Sequence, residues 1–386
     1  MKLRDPRHEI RLLERSPTGA TQGWGVTLGQ DVLEKLRDID AVSAEELRNA
    51  ALRWTHQVVR IGGTQQARGG YSIYNIGRQA LVDILARRAK EAGVRIDYGC
   101  EIASLAELPP ADLIVAADGA GSRLRSAAGG FGTNARPTGN KYIWLGGGVP
   151  FGDTFNYLFT LTPHGWVWAY AYQFDARAST FIAECSPSTW AGLGLDAMSA
   201  DEGAVLLSDL FKDHLDGHQL TARFPNGTSA RWLDFRVITN QRWHARNLVL
   251  VGDSAHTAHY SLGQGTKMAL DDAVALADNL QRHENLDAAL TAYERQRKAE
   301  LIRPLSEARC SAEWFEHLPR YTGLKPRQFA IVLQARWSPL TKVLPPRVSY
   351  ELYQAAERFT VLHWTRRKVG SAVKWVHGRR NFFVQE

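Results

Sequence analysis

Cysteine is scarce in this 386-residue chain: Cys100, Cys185 and Cys310 are the only three, and no two stand in C-x-x-C spacing. That excludes a disulfide framework and a thiolate metal cluster, and it points to a reducing compartment, the cytoplasm. His256 and His259 are close in sequence but lack ligand partners, so no metal site is expected. No apolar run approaches the ~20 residues of a membrane-spanning helix, and the charged opening from Met1 to Glu14 is not a signal peptide. Internal repeats and low-complexity stretches are absent as well. The basic excess, a formal net charge of +7, is scattered along the chain. It argues against a nucleic-acid partner and suits anionic small molecules. What remains is an ordinary globular composition, 44% hydrophobic and 23% charged, on a chain long enough for two packed domains.

The most informative segment runs from Asn247 to Asp272. Leu248 to Val251 reads as a buried parallel strand, Gly252-Asp253 as the turn that ends it, and Gly263 and Gly265 as a loop opening a helix. Glycines there let backbone approach a ligand, and the helix start, with Thr266 in its first turn, aims N–H groups at it. Three other stretches have the same logic. Ile10 to Glu14 is a strand ending in a carboxylate, with Arg15 following, where a dinucleotide fold receives ribose hydroxyls. Ala111 to Arg123 is strand, Asp118-Gly119 turn and helix start. Tyr71 to Leu85 is a strand running into a helix with Arg78 at its entry, a position that favours an anionic partner because the helix dipole opposes a cation there.

Gly252, Asp253, Ala255, His256, Gly263, Gly265 and Asp272 together resemble the second flavin-contacting motif of FAD-dependent aromatic monooxygenases, the single-component hydroxylases. The proline usual in that loop is absent, and His259-Tyr260-Ser261 stands in its place. That variant, with Gly23-Trp24-Gly25-Val26, Asn140 to Gly146 and Ser179 to Glu184, is most similar to the salicyloyl-CoA and anthraniloyl-CoA hydroxylases and the violacein tryptophan-derivative hydroxylase. The resemblance runs to about residue 320. It implies a Rossmann-like α/β fold binding FAD, reduced by NAD(P)H, in which Asp253 meets the ribityl chain and the 263–266 backbone faces the flavin. It also implies that Arg78 reaches the FAD, and that the Asp118-Gly119 turn serves FAD and NAD(P)H.

The activity implied is hydroxylation of an aromatic ring with dioxygen through a C4a-hydroperoxyflavin, on an aryl-CoA thioester or an indole-type metabolite. The cofactor carries that chemistry, so no catalytic triad is required. His259 and Tyr260 are candidates for substrate positioning or proton transfer, beside a loop-stabilising role. Tyr74, Trp144, Trp168 and Tyr170 are candidates for an aromatic pocket, beside a core role. Flavin-dependent halogenases share the fold; Trp166-Val-Trp168 begins their W-x-W-x-I-P segment, but Ile-Pro does not follow.

One departure is large. Glu14 belongs about twenty residues beyond a G-x-G-x-x-G loop, and no glycine lies between Met1 and Glu14. The expectation is a start codon placed downstream of the true one. The alternative is a shortened relic, weak in flavin binding, acting as a binding module. The sheet would then lack its central strand and expose parallel edges, making the protein poorly soluble.

The motif positions divide the chain into a discontinuous FAD domain (1–135 and 240–285), a substrate-binding sheet (136–239) and a helical C-terminal region (286–386). Within the second, strands are expected at Lys141–Gly147, Phe155–Thr162, Val167–Phe174 and Thr180–Glu184, with a helix at Ser199–His214. Leu290, Tyr293, Arg297 and Leu301 recur at helical spacing beyond it. A basic, aromatic tail (Trp364, Arg366, Arg367, Lys368, Lys374, Trp375, Arg379, Arg380) reads as a docked helix with a solvated face, or as a clamp for substrate phosphates or a membrane surface.

Overall fold

The computed structural model describes residues 1–358, so the basic tail lies outside the described residues. The chain is a mixed α/β protein. Its largest sheet has eight strands, ordered Leu220–Thr221, Thr133–Gly147, Ser179–Cys185, Gly165–Gln173, Thr154–Thr162, His56–Ile61 and Thr64–Arg68, with Leu233–Asn240 also paired to Thr133–Gly147. Neighbours are antiparallel except that Thr154–Thr162 runs parallel to His56–Ile61. The hairpin at 56–68, early in the chain, therefore extends the sheet built mainly by residues 133–240.

Alternation along these strands divides the residues between two buried faces. Val167, Ala169, Ala171, Phe181, Ala183 and Cys185 pack with Leu207 and Phe211. On that side helix Ala200–Leu210 is started by a reciprocal Ser199–Glu202 capping box. The opposite face carries Tyr157, Phe159, Trp168 and Tyr170, which pack on Trp314, Phe315, Phe329 and Leu333 from the C-terminal helices. Both faces are covered, so Gly165–Gln173 is apolar on both sides.

Parallel pairing also occurs in two smaller sheets. Arg11–Glu14 pairs with Arg95–Tyr98, and Ile114–Ala116 pairs with Leu248–Leu250, which His244–Ala245 joins antiparallel. Leu248, Val249 and Leu250 are wholly buried, whereas Leu12 and Val115 remain exposed. A third sheet, the antiparallel crossover, holds Gly25–Gly29, Ile73–Gly77 and Leu52–Trp54. Helix Leu286–Glu316 packs Leu290, Tyr293, Arg297 and Leu301 inward, the spacing read from sequence. Among the described residues no helix is long and apolar enough to cross a membrane, and no cluster of potential metal ligands occurs.

Candidate active site

The turn after Leu248–Leu250 is built around Gly252, whose φ of 64° suits glycine. Asp272, fully buried, holds it: Oδ2 accepts the Gly252 N–H at 2.9 Å and sits 2.8 Å from His256 Nε2, while Oδ1 accepts from Arg297 Nε at 2.6 Å. Ser254 Oγ donates to the Ala116 carbonyl at 2.5 Å, joining the turn to the neighbouring strand. These bonds leave Asp253 projecting outward.

Asp253 and Arg78 are both exposed, yet protein atoms surround their charged ends. Desolvation raises the Asp253 carboxyl above its ordinary pKa, opposed by His256 and Arg78, and it lowers the Arg78 guanidinium, opposed by Asp253. Neither side chain has a hydrogen-bond or ion-pair partner among the described residues. An accessible pair of opposite charges, enclosed but unpartnered, is what the floor of a polar ligand cleft looks like.

The loop that follows rises from this floor. Gly263 has φ of 63°, and a Cβ there would stand 2.5 Å from Thr27 Oγ1. Helix Gly265–Arg282 begins with no side-chain cap, and the space beside Gly265 is open. The first amides, those of Gly265 and Thr266 included, are thus available to a ligand. These residues fit the flavin that the motif implies: an uncapped helix start, a glycine-lined approach, and Asp253 and Arg78 unpartnered beside it.

The other predicted cofactor residues are placed less centrally. Asp118 spends its carboxylate on its own turn, accepting from Ser122 Oγ at 2.5 Å and Leu124 N–H at 3.1 Å, and Gly119 follows at φ of 82°. Glu14 accepts the Ser16 N–H at 2.7 Å at the end of its strand, and Arg15 is exposed beside it. Among the described residues no hydrogen bond or ion pair joins Glu14 or Arg15 to the loop at 252–266.

His259 is buried and belongs to a relay. Arg336 Nε donates to Ser311 Oγ at 3.1 Å, Ser311 lies 2.8 Å from Ser261 Oγ, and Ser261 lies 2.9 Å from His259 Nδ1. A guanidinium can only donate, so each hydroxyl passes its proton onward and His259 Nδ1 accepts. Burial, reinforced by Arg336, pushes the imidazole pKa down to about 3, so it is neutral and holds the turn. Arg336 also donates to the Ser261 carbonyl and to Tyr157 Oη.

Tyr260, half-buried on the same turn, donates its hydroxyl to Glu184 Oε2 at 2.8 Å. Tyr170 donates to that same oxygen at 2.9 Å, and Asn140 Nδ2 donates to Oε1 at 2.9 Å. Glu184 is fully buried, and desolvation pushes its carboxyl up to about 7 despite those bonds. The Tyr142 ring lies 4.5 Å from that of Tyr260. Its phenol is pushed up to about 12 by burial, with the charges of Asp253 and Glu184 adding to the shift.

The four aromatic candidates separate. Trp144 turns its ring toward Gly23, where a Cβ would meet it at 2.6 Å, and Trp24 lies closer still over Gly146. Thr180 Oγ1 accepts the Gly25 N–H at 2.8 Å. The three stretches at 23–26, 140–146 and 179–184 thus converge on one place. Trp168 stacks on Phe315, with ring centroids 5.7 Å apart, and Tyr170 is buried beside it. Tyr74 packs instead with Leu28, Leu33 and Ile76 in the crossover region, away from these three.

Comparison with known proteins accords with this geometry. Residues 110–303 match the FAD binding domain family. Salicyloyl-CoA 5-hydroxylase from a Streptomyces species is 35% identical over 362 residues, covering 91% of this chain and 69% of that protein. The chain belongs to the FAD-dependent aromatic monooxygenases. Another relative, 3-hydroxy-4-methyl-anthranilyl-[aryl-carrier protein] 5-monooxygenase of Streptosporangium sibiricum, is 36% identical over 312 residues, with 81% and 83% covered. The solved structure of 2-methyl-3-hydroxypyridine-5-carboxylic acid oxygenase superposes with a TM-score of 0.68 at 19% identity, over 87% of this chain and 93% of that one, a likeness of fold. As a member of this monooxygenase family the chain uses FAD, with NAD(P)H as the usual reductant, and acts on a small aromatic molecule.

Glu184, Tyr142, Asn140 and Arg336 were assigned no role from sequence. Strand alternation gives one signal, since Glu184 falls on the same face as Ile182 and, across the ladder, Trp168. A carboxylate on that aromatic face is out of place unless it is used.

Proposed function

We propose that this monooxygenase hydroxylates an aromatic acid presented as a thioester, of coenzyme A or of a carrier protein. The observation that carries the reading is the convergence of Trp24, Trp144 and Glu184 on one face of the sheet, with the Arg78 N–H donating to the Trp24 carbonyl at 2.7 Å. Two relatives whose names specify aryl groups joined to CoA or to a carrier protein support it. When bound, FAD supplies reductive activation of dioxygen and transfer of one oxygen atom to the ring. The chain's own residues seat and orient. Asp253, Arg78 and the amides of Gly263, Gly265 and Thr266 hold the cofactor, with Gly252 shaping the turn. Glu14 and Arg15 receive its ribose end, and the Asp118-Gly119 turn lies along the nicotinamide approach. Tyr260 and Trp144 border the ring, Trp168 and Tyr170 back that wall, and His259 fixes the loop. The discontinuous FAD domain, the sheet domain and the helical C-terminus divide this work. None of the three cysteines is in a disulfide, and two of them are buried, which suits a cytoplasmic enzyme.

The test is NAD(P)H oxidation by FAD-loaded protein with salicyloyl-CoA, anthraniloyl-CoA and the free acids. A thioester should stimulate oxidation, and mass spectrometry should find a product one oxygen heavier. Equal stimulation by the free acids would overturn the thioester reading.

A further inference from the structure

The protons around Glu184 can be assigned one by one. Oε1 takes the Asn140 amide, and Oε2 takes the hydroxyls of both Tyr170 and Tyr260. The Tyr170 oxygen is closed on its other side by Trp168 Nε1 at 3.4 Å. The Tyr260 oxygen is not: its proton is spent on Glu184, and no donor reaches its lone pairs among the described residues. Tyr260 is also the half-buried member of the group, on the turn between Asp253 and Gly263, with its ring against Tyr142. With Glu184 ionised, as it is above its raised titration point of about 7, the network has one open end, and that end can only accept a hydrogen bond.

We propose that Glu184 is a positioning residue of the oxygenation site: by taking the hydroxyl proton of Tyr260 it fixes that tyrosine as an acceptor toward the ring. This rests on the reading of the cleft as the site of aromatic oxygenation. A ring hydroxyl or amino group would find a partner at Tyr260, whereas an ether oxygen at the same place would face lone pairs and lose its own hydration. Glu184 does not touch the ring. It acts through Tyr260, held against rotation by Asn140 and by burial on the central face of the sheet. Replacement by glutamine should invert the polarity. With Asn140 holding the amide oxygen, the new NH2 occupies the Oε2 position and donates to the tyrosines, so Tyr260 must turn its proton outward.

The experiment measures dissociation constants of phenol, aniline and anisole for the FAD-loaded enzyme at a pH well above 7, where Glu184 is ionised, read from perturbation of flavin fluorescence, in wild type, Glu184→Gln and Tyr260→Phe. The wild type should bind phenol and aniline about tenfold or more tighter than anisole, the scale of one hydrogen bond to a buried acceptor. Glu184→Gln should bring the phenol-to-anisole affinity ratio to one or below. Tyr260→Phe, which keeps the ring, should bring it close to one, and it serves if the glutamine variant fails to fold. A wild-type ratio near one, failure of phenol to bind up to its solubility, or an unchanged ratio in the variants would overturn the proposal. A normal ratio in an enzyme that ignores salicyloyl-CoA would defeat the thioester reading alone.

Discussion

The carboxylate of Asp272 accepts the backbone N–H of Gly252 at 2.9 Å, so the helix that starts at Gly265 also fixes the turn presenting Asp253. The same carboxylate neutralises Arg297, which is 3% exposed. Asp272→Ala should therefore cost about 3–5 kcal/mol, because a buried guanidinium loses its counter-charge. Chemical denaturation measures this. A loss below about 1 kcal/mol would show that Glu300, the other acidic partner of Arg297, suffices.

Asp253→Ala and Arg78→Ala should behave in the opposite way. Neither side chain has a partner to lose, so folding stability should stay within about 0.5 kcal/mol of wild type. FAD affinity, followed by equilibrium dialysis, should fall tenfold or more in each. Unchanged affinity in both would remove the cleft floor from the cofactor site.

The two loop glycines separate backbone need from ligand need. Gly263→Ala places a methyl against Thr27 Oγ1 at a positive φ, so it should destabilise by at least about 1–2 kcal/mol. Gly265→Ala meets open space and should leave the melting temperature alone while weakening FAD binding. If Gly265→Ala binds FAD normally, the ligand does not approach that point.

Glu184 and His259 give opposing pH dependences of stability. The Glu184 carboxyl is raised from an ordinary 4.5 to about 7, so the folded state binds the extra proton; its contribution is full below 4.5 and lost as pH rises toward 7. The His259 imidazole is lowered from 6.5 to about 3, so its contribution is full above 6.5 and lost as pH falls toward 3. Between pH 4.5 and 6.5 the two slopes cancel. Denaturation of Glu184→Gln across that window should show stability rising with pH relative to wild type. A parallel pair of curves would mean Glu184 titrates normally.

The proposed cofactor end of the site could be read from sequence because its signals are local. Asp253, Gly252, Gly263 and Gly265 lie within fourteen consecutive positions, and each answers to a strand end, a positive φ or a helix start. The substrate end could not, because its partners are distant in sequence. Tyr260 and Glu184 are 76 positions apart, and Arg336 and Ser261 are 75 apart. Alternation correctly put Trp168 and Tyr170 on one face, but nothing local reveals that Phe315, from a helix over a hundred residues later, covers them. The 56–68 hairpin is similar: its parallel pairing with Thr154–Thr162 leaves no trace in either segment. Tyr74 shows the reverse difficulty. Its neighbourhood on the chain resembles a flavin-contacting stretch, while in space it packs with the crossover core.

The turn at 259–262 is fastened on one side to the sheet through Glu184 and on the other to the C-terminal helices through Arg336. A ring pressing on Tyr260 and a cofactor settling at Gly263 would load the same short segment from two directions. Whatever tightening one guest brings to the other must then be returned in equal measure, so substrate should raise the affinity for flavin by the same factor as flavin raises that for substrate.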